Sequence, residues 1–129
     1  MTKEKIVIGF YEDVLIDGKV IRAKIDTGAG VSSIDSSLAD AIKVGPVIGR
    51  AAVVNTHGRA VRPVVMLKVE IGGKTLDAKF NIAIREHLRY PILIGKNILR
   101  QGFIIDPKKR LKKNGRKTIK KTQDLQSQD

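Results

Sequence analysis

Ala23-Lys24-Ile25-Asp26-Thr27-Gly28-Ala29 is the stretch on which the reading of this chain turns. Upstream of it, Val14-Leu15-Ile16 runs into Asp17-Gly18, a dipeptide suited to a two-residue hairpin because both central positions need positive φ. Val20 to Ile25 then alternates apolar with polar, as a strand with one buried face does. The hairpin therefore delivers the chain to Asp26, and the next residues, Thr27-Gly28-Ala29-Gly30, make a loop rich in small side chains. Glycine admits a ligand without interference from a Cβ, so a carboxylate here is open to close approach. Asp-Thr-Gly by itself is also a common turn in which Asp caps its own backbone.

Working outward, strand signals dominate. Ile6 to Phe10 is a short apolar run; Ala51 to Val54 and Arg59 to Glu70 flank the polar tip Asn55-Thr56-His57-Gly58 and predict a long hairpin. Gly72-Gly73 predicts another turn, and Thr75 to Ile84 alternates again. Ser36 to Ile42 is long enough for one or two helical turns, with Ser36 or Ser37 as cap. Pro91 to Gly95 is an apolar run ending on glycine, and Lys96 to Gly102 after it suits a short helix with a glycine stop. Phe103 to Asp106 adds a last strand. Many short strands separated by Gly and Asp turns predict an all-β barrel or sandwich rather than alternating β and α units.

Composition bounds the rest. A chain of 129 residues holds one core, and the absence of cysteine excludes disulfides, thiolate metal sites and cysteine nucleophiles. No signal-peptide core opens the chain and no apolar run approaches the roughly 20 residues a membrane span needs, so a cytoplasmic protein is expected. The formal charge of +12 is uneven: from Pro107 onward nine Lys or Arg face two Asp, a net +7, against sixteen basic and eleven acidic residues before it, a net +5. Residues 1–106 are therefore expected to form the domain, and 107–129 a disordered basic tail with too few apolar residues to offset chain entropy. That tail is either a solubilising appendage or a contact for nucleic acid or an acidic partner.

Three segments, Ala23 to Ala29, the hairpin ending in Arg62-Pro63-Val64-Val65, and Arg89-Tyr90-Pro91-Ile92-Leu93-Ile94-Gly95-Lys96-Asn97-Ile98-Leu99, together resemble the retropepsin-like aspartic peptidases. The resemblance is closest to the small prokaryotic family often labelled "ATP-dependent zinc protease" and associated with ATP-grasp glutamate ligases. It spans nearly all of residues 5–106 in order. It implies a closed retropepsin-like acid-protease barrel with a flap hairpin at about Val53 to Val61, one short helix, and one half-site per chain. In such enzymes two carboxylates share a proton; one activates water and the other donates to the substrate carbonyl. This chain has one Asp-Thr-Gly, so the resemblance implies a homodimer with Asp26 of each subunit at the twofold axis. Thr27 would hydrogen-bond across that axis and Gly28 would allow close approach. Ala29, Asn55, Thr56, His57, Gly58 and Arg62 are the expected substrate-binding residues of flap and channel, with a second reading of His57 as solvent-facing.

The chain departs from that family at Gly30, where Arg is usual, and at Gly95-Lys96, where Gly-Arg is common. Lys cannot make the planar two-pronged contact of Arg with a carboxylate. Ser32 and Ser33 match the small hydroxylated character after the loop and are also ordinary barrel residues. A catalytic zinc needs three ligands, and His57 and His87, thirty positions apart without a His-Glu-x-x-His, do not supply them; no metal and no cofactor is expected. A phosphate-binding Gly-rich loop and a serine-nucleophile elbow are also missing. The sequence thus predicts an aspartic endopeptidase or amide hydrolase. Arg59, Arg62, Arg89 and Lys96 suggest acidic or glutamate-rich peptides as substrates. The alternative is a binding module that keeps the barrel and groove without hydrolysis and engages nucleic acid or an acidic protein through the tail.

Overall fold

The alternation read from the sequence becomes a barrel wall in the computed structural model, which describes residues 4–56, 58–84 and 89–111. Strand β1 (Ile6–Ile8) precedes β2 (Tyr11–Ile16) and β3 (Lys19–Ile25). Asp17 and Gly18 turn between the latter two with φ of 51° and 74°, the paired positive values the dipeptide predicts. Then come β4 (Ser32–Asp35), helix α1 (Ser36–Ile42), β5 (Val47–Asn55), β6 (Gly58–Ile71), β7 (Lys74–Ala83), β8 (Ile92–Ile94), helix α2 (Lys96–Leu99) and β9 (Phe103–Ile105). Both helical segments read from the sequence are present, the second a single turn, where the family resemblance implied one short helix.

The strands pair in the order β2-β3-β8-β4-β7-β6, and β6 returns to β2 through Leu15↔Glu70 and Ile16↔Val69, closing a six-stranded barrel. Closure leaves the barrel strands without a free edge to pair with other chains. The inward residues form one core: Val14 and Ile16, Ile21 and Ala23, Ile34, Val65 and Val69, Ala78 and Phe80, Ile92 and Ile94. Phe80 is fully buried, and truncating it to Ala would cost about 3–5 kcal/mol.

Helix α1 lays Leu38, Ala39 and Ile42 onto this core. Its N-cap is Asp35 rather than Ser36 or Ser37: the Asp35 carboxylate accepts from Ser37 N at 3.0 Å. Asp35 ends β4 with extended backbone, which is the conformation a cap requires, so the strand's last residue starts the helix.

The β5–β6 hairpin is longer than expected. Its register runs from Val47↔Val65 to Asn55↔Gly58, but β6 joins β7 only from Val64 onward. Most of the hairpin therefore extends beyond the barrel as a two-stranded ribbon, with Val54 74% and Val61 65% exposed. Across the barrel, β1 and β9 form a separate parallel pair, Ile6↔Phe103 to Ile8↔Ile105. The described chain continues to Leu111, and Lys109 packs back on the barrel through an ion pair with Glu12.

Candidate active site

Asp26 leaves the end of β3, where its own N–H donates to the Ile94 carbonyl of β8 at 2.9 Å. The parallel register of these strands, Ala23↔Ile92 to Ile25↔Ile94, sets that contact, so the apolar strand β8 is the wall beside the loop. Asp26 Oδ1 accepts from Gly28 N at 2.9 Å, and Ala29 N donates to the Asp26 carbonyl at 3.3 Å. The Asp caps its own turn, as a common Asp-Thr-Gly turn does, and Asp26 is half-buried while Thr27 and Gly28 are exposed.

A second layer holds the loop from below. Lys96 N donates to the Ala29 carbonyl at 2.8 Å and Asn97 N to the Gly30 carbonyl at 3.1 Å. Asn97 Oδ1 accepts from both the backbone N–H (3.0 Å) and the hydroxyl (2.8 Å) of buried Ser32, and its amide donates to the Lys79 carbonyl at 3.0 Å. The Ser32 hydroxyl in turn accepts from Gly95 N at 2.9 Å. These bonds tie β4, β7, β8 and α2 to the return of the Asp26 loop. A Cβ on Gly95 would lie 2.8 Å from the Ala29 carbonyl oxygen and 2.9 Å from Val31 C, so glycine is needed there for approach of two backbones.

Ser32 and Asn97 are the residues that sequence reasoning undervalues. By sequence Ser32 is an ordinary barrel residue and Asn97 one letter of a motif. They stand 65 positions apart, and only the fold makes them partners. The local signal is a hydroxyl in a strand that buries all four of its residues.

The other expected site residues divide. Asp26, Thr27, Gly28 and Ala29 share one turn. Thr56 and Gly58 stand exposed at the ribbon tip, Gly58 with φ of 120°; the backbone of Asn55 ends β5, and His57 lies outside the described residues, as does His87. Arg62 is not at the tip. It sits opposite Ala51 toward the ribbon's base, and its Nη1 donates to Asn81 Oδ1 at 3.3 Å. Arg59 and Arg89 are exposed and Lys96 is half-buried.

A six-stranded closed barrel, a projecting ribbon and an Asp-Thr-Gly turn braced by a Gly-Lys-Asn segment define a retropepsin-like aspartic peptidase. Residues 36–115 match the RimB-like family, described as retropepsin-like aspartic endopeptidase RimB; the match takes in well over half the chain, which belongs to that family. The matched span begins beyond Asp26, so the place of Asp26 rests on the loop's own geometry. Two solved structures share the fold. A Legionella pneumophila protein of unknown function superposes with a TM-score of 0.60 at 22% identity, over 82% of this chain and 96% of its own. The simian foamy virus protease does so with a TM-score of 0.55 at 18% identity, over 70% of this chain and 91% of its own. No curated protein matches the chain.

Proposed function

We propose that this chain is one half of an aspartic peptidase, and that two copies assemble so that Asp26 and the partner subunit's Asp26 activate a water molecule between them. The observation that carries this reading is the state of the Asp26 turn. It is a family-type carboxylate loop, fixed from behind by Ile94, Lys96 and Asn97, yet Thr27 and Gly28 at its apex are exposed. A single carboxylate is only half of the acid and base pair that hydrolysis of an amide by this route needs. A twofold axis through the exposed apex supplies the other half, and it does so with the same residue because the interface is isologous.

In the assembled site one carboxylate is ionised and takes a proton from water as that water attacks the peptide carbonyl. The protonated carboxyl hydrogen-bonds the carbonyl oxygen and stabilises the charge that develops there. Because the two groups share one proton, their titration belongs to the pair. Thr27 holds the two loops in register across the axis. The β5–β6 ribbon, with its exposed Val54 and Val61, covers the peptide and excludes water.

We further propose an acidic peptide as substrate. The support is the positive charge of the chain together with exposed Arg59 and Arg89 and half-buried Lys96, for which no acid partner occurs among the described residues. Asp26→Asn keeps the shape of the loop and removes the base. Cleavage of a glutamate-rich peptide, followed by mass spectrometry, should vanish in this variant while its dimer persists in sedimentation; sustained cleavage overturns the assignment.

A further inference from the structure

Arg62 is half-buried, yet it meets no carboxylate among the described residues. One of its five N–H donors is used: Nη1 donates to Asn81 Oδ1 at 3.3 Å, and Asn81 is itself only 4% exposed. A buried amide that spends its oxygen on a guanidinium fixes where that guanidinium points. The rest of the fork makes no hydrogen bond among the described residues.

Strand register ties this pair to the Asp26 turn. Ile25 faces the core, so alternation puts Lys24 and Asp26 together on the opposite face of β3. Lys24 is level with Leu93 of β8, Leu93 with Ser33 of β4, and Ser33 with Asn81 of β7. Leu93 lies between the core residues Ile92 and Ile94, and Asn81 follows core Phe80, so the row looks out on the face that carries Asp26. With strands about 4.8 Å apart, Asn81 stands about 14 Å from Lys24 around the wall, a span that an extended peptide lying across the strands covers in about four residues.

Much of this face is wet, with Lys79 exposed on β7 and Met66 on β6. At Asn81 and Val64 it becomes sheltered, Val64 being 8% exposed. Arg62 precedes Val64 by two residues on the same side of β6, at the point where the ribbon leaves β7. A carboxylate is held more strongly in such a recess than in open water.

We infer that Arg62 is a specificity-determining residue of the cleft: its remaining N–H groups receive the carboxylate of a glutamate or aspartate side chain within about four residues of the bond to be cut. This rests on the peptidase reading and adds to it which group reads the acid and where. The planar fork of Arg binds both carboxylate oxygens at once. Asn81 is a positioning residue that acts through Arg62.

The probes are a glutamate-rich peptide with one cleavable bond and a set in which one glutamate at a time becomes glutamine. For wild type, one replacement within about four residues of that bond should lower kcat/KM by about tenfold, chiefly through KM. Arg62→Gln should cut the parent peptide about tenfold less efficiently and be indifferent to the same replacement. Asn81→Asp, of nearly the same shape, gives Arg62 an internal carboxylate partner; it should abolish the preference at that position while cutting the glutamine peptide as wild type does. Equal losses by Arg62→Gln on the two peptides would make Arg62 a pin for the ribbon and overturn the inference. So would a preference that survives in either variant, or one lost as fully in Lys24→Gln, which removes another cation from this face. If wild type cuts no peptide, the peptidase reading fails, and fluorescence anisotropy with the same peptides decides the role of Arg62 separately. Tighter binding of the parent than of the glutamine peptide, lost in Arg62→Gln, sustains it; equal binding of the two by wild type overturns it.

Discussion

Ser32, Gly95 and Asn97 do for Asp26 what no residue next to it in sequence can. Asn97 Oδ1 receives two donors from Ser32, and removing the acceptor would leave a buried N–H and hydroxyl without their partner. Asn97→Ala should therefore cost about 1–3 kcal/mol for each orphaned group, read as a lower urea midpoint, and should lower kcat more than it raises KM because the Asp26 loop loses its brace. Gly95→Ala is the harsher change. Its methyl would press on the Ala29 and Val31 backbones, which have no flexible side chain to yield, so loss of several kcal/mol of stability and of folded yield is the expected outcome, as in other overpacked sites. At this scale the sequence is legible where chemistry is local. The Asp26-Thr27-Gly28 turn can be read directly as a turn, because the small residues after the strand let Asp26 cap its own backbone. The Ser32–Asn97 pair cannot, because nothing within either neighbourhood signals the other.

Among the elements, turn chemistry does most to make the strands readable. Asp17-Gly18 and Gly72-Gly73 fix two hairpins in register, and alternation then assigns the inward faces. Helix α1 is legible in extent but not in its cap, since Asp35 belongs to the strand before it and only the strand-to-helix junction turns its carboxylate onto Ser37 N. The ribbon's full length is hidden for a related reason. Where β6 leaves β7 depends on the length of β7, not on β6 itself. The exposed valines of this ribbon give the element its test. Val54→Ser with Val61→Ser should change stability by no more than about 0.5 kcal/mol, being surface positions, yet lower kcat/KM for peptide if the ribbon covers substrate. Equal kcat/KM would remove the ribbon from the mechanism.

For the whole molecule the question is whether one site belongs to two chains. Mixing wild type with Asp26→Asn after unfolding and refolding together separates the possibilities. If each active site needs both carboxylates, an equal mixture retains about one quarter of the activity of the same total amount of wild type, because only one random pairing in four is wild type on both sides. A monomeric site would retain half. Dilution gives a second measure: specific activity should fall at the concentration where sedimentation shows dissociation. The closed barrel itself is foreseeable from many short strands separated by Gly and Asp turns together with the family resemblance. The proposed partner copy rests on counting carboxylates, since the chain holds one Asp-Thr-Gly.

The place of β8 has a consequence for the timing of synthesis. It is inserted between β3 and β4, strands made some sixty residues earlier, and the brace from Asn97 comes later still. A ribosome-bound chain that has not yet exposed Ile92 to Asn97 has a gap in its wall at the place where Asp26 should be held. The order of residues along the chain thus works as a delay: the Asp26 turn is synthesised early but gains its β8 wall and its Asn97 brace only when the barrel is nearly complete.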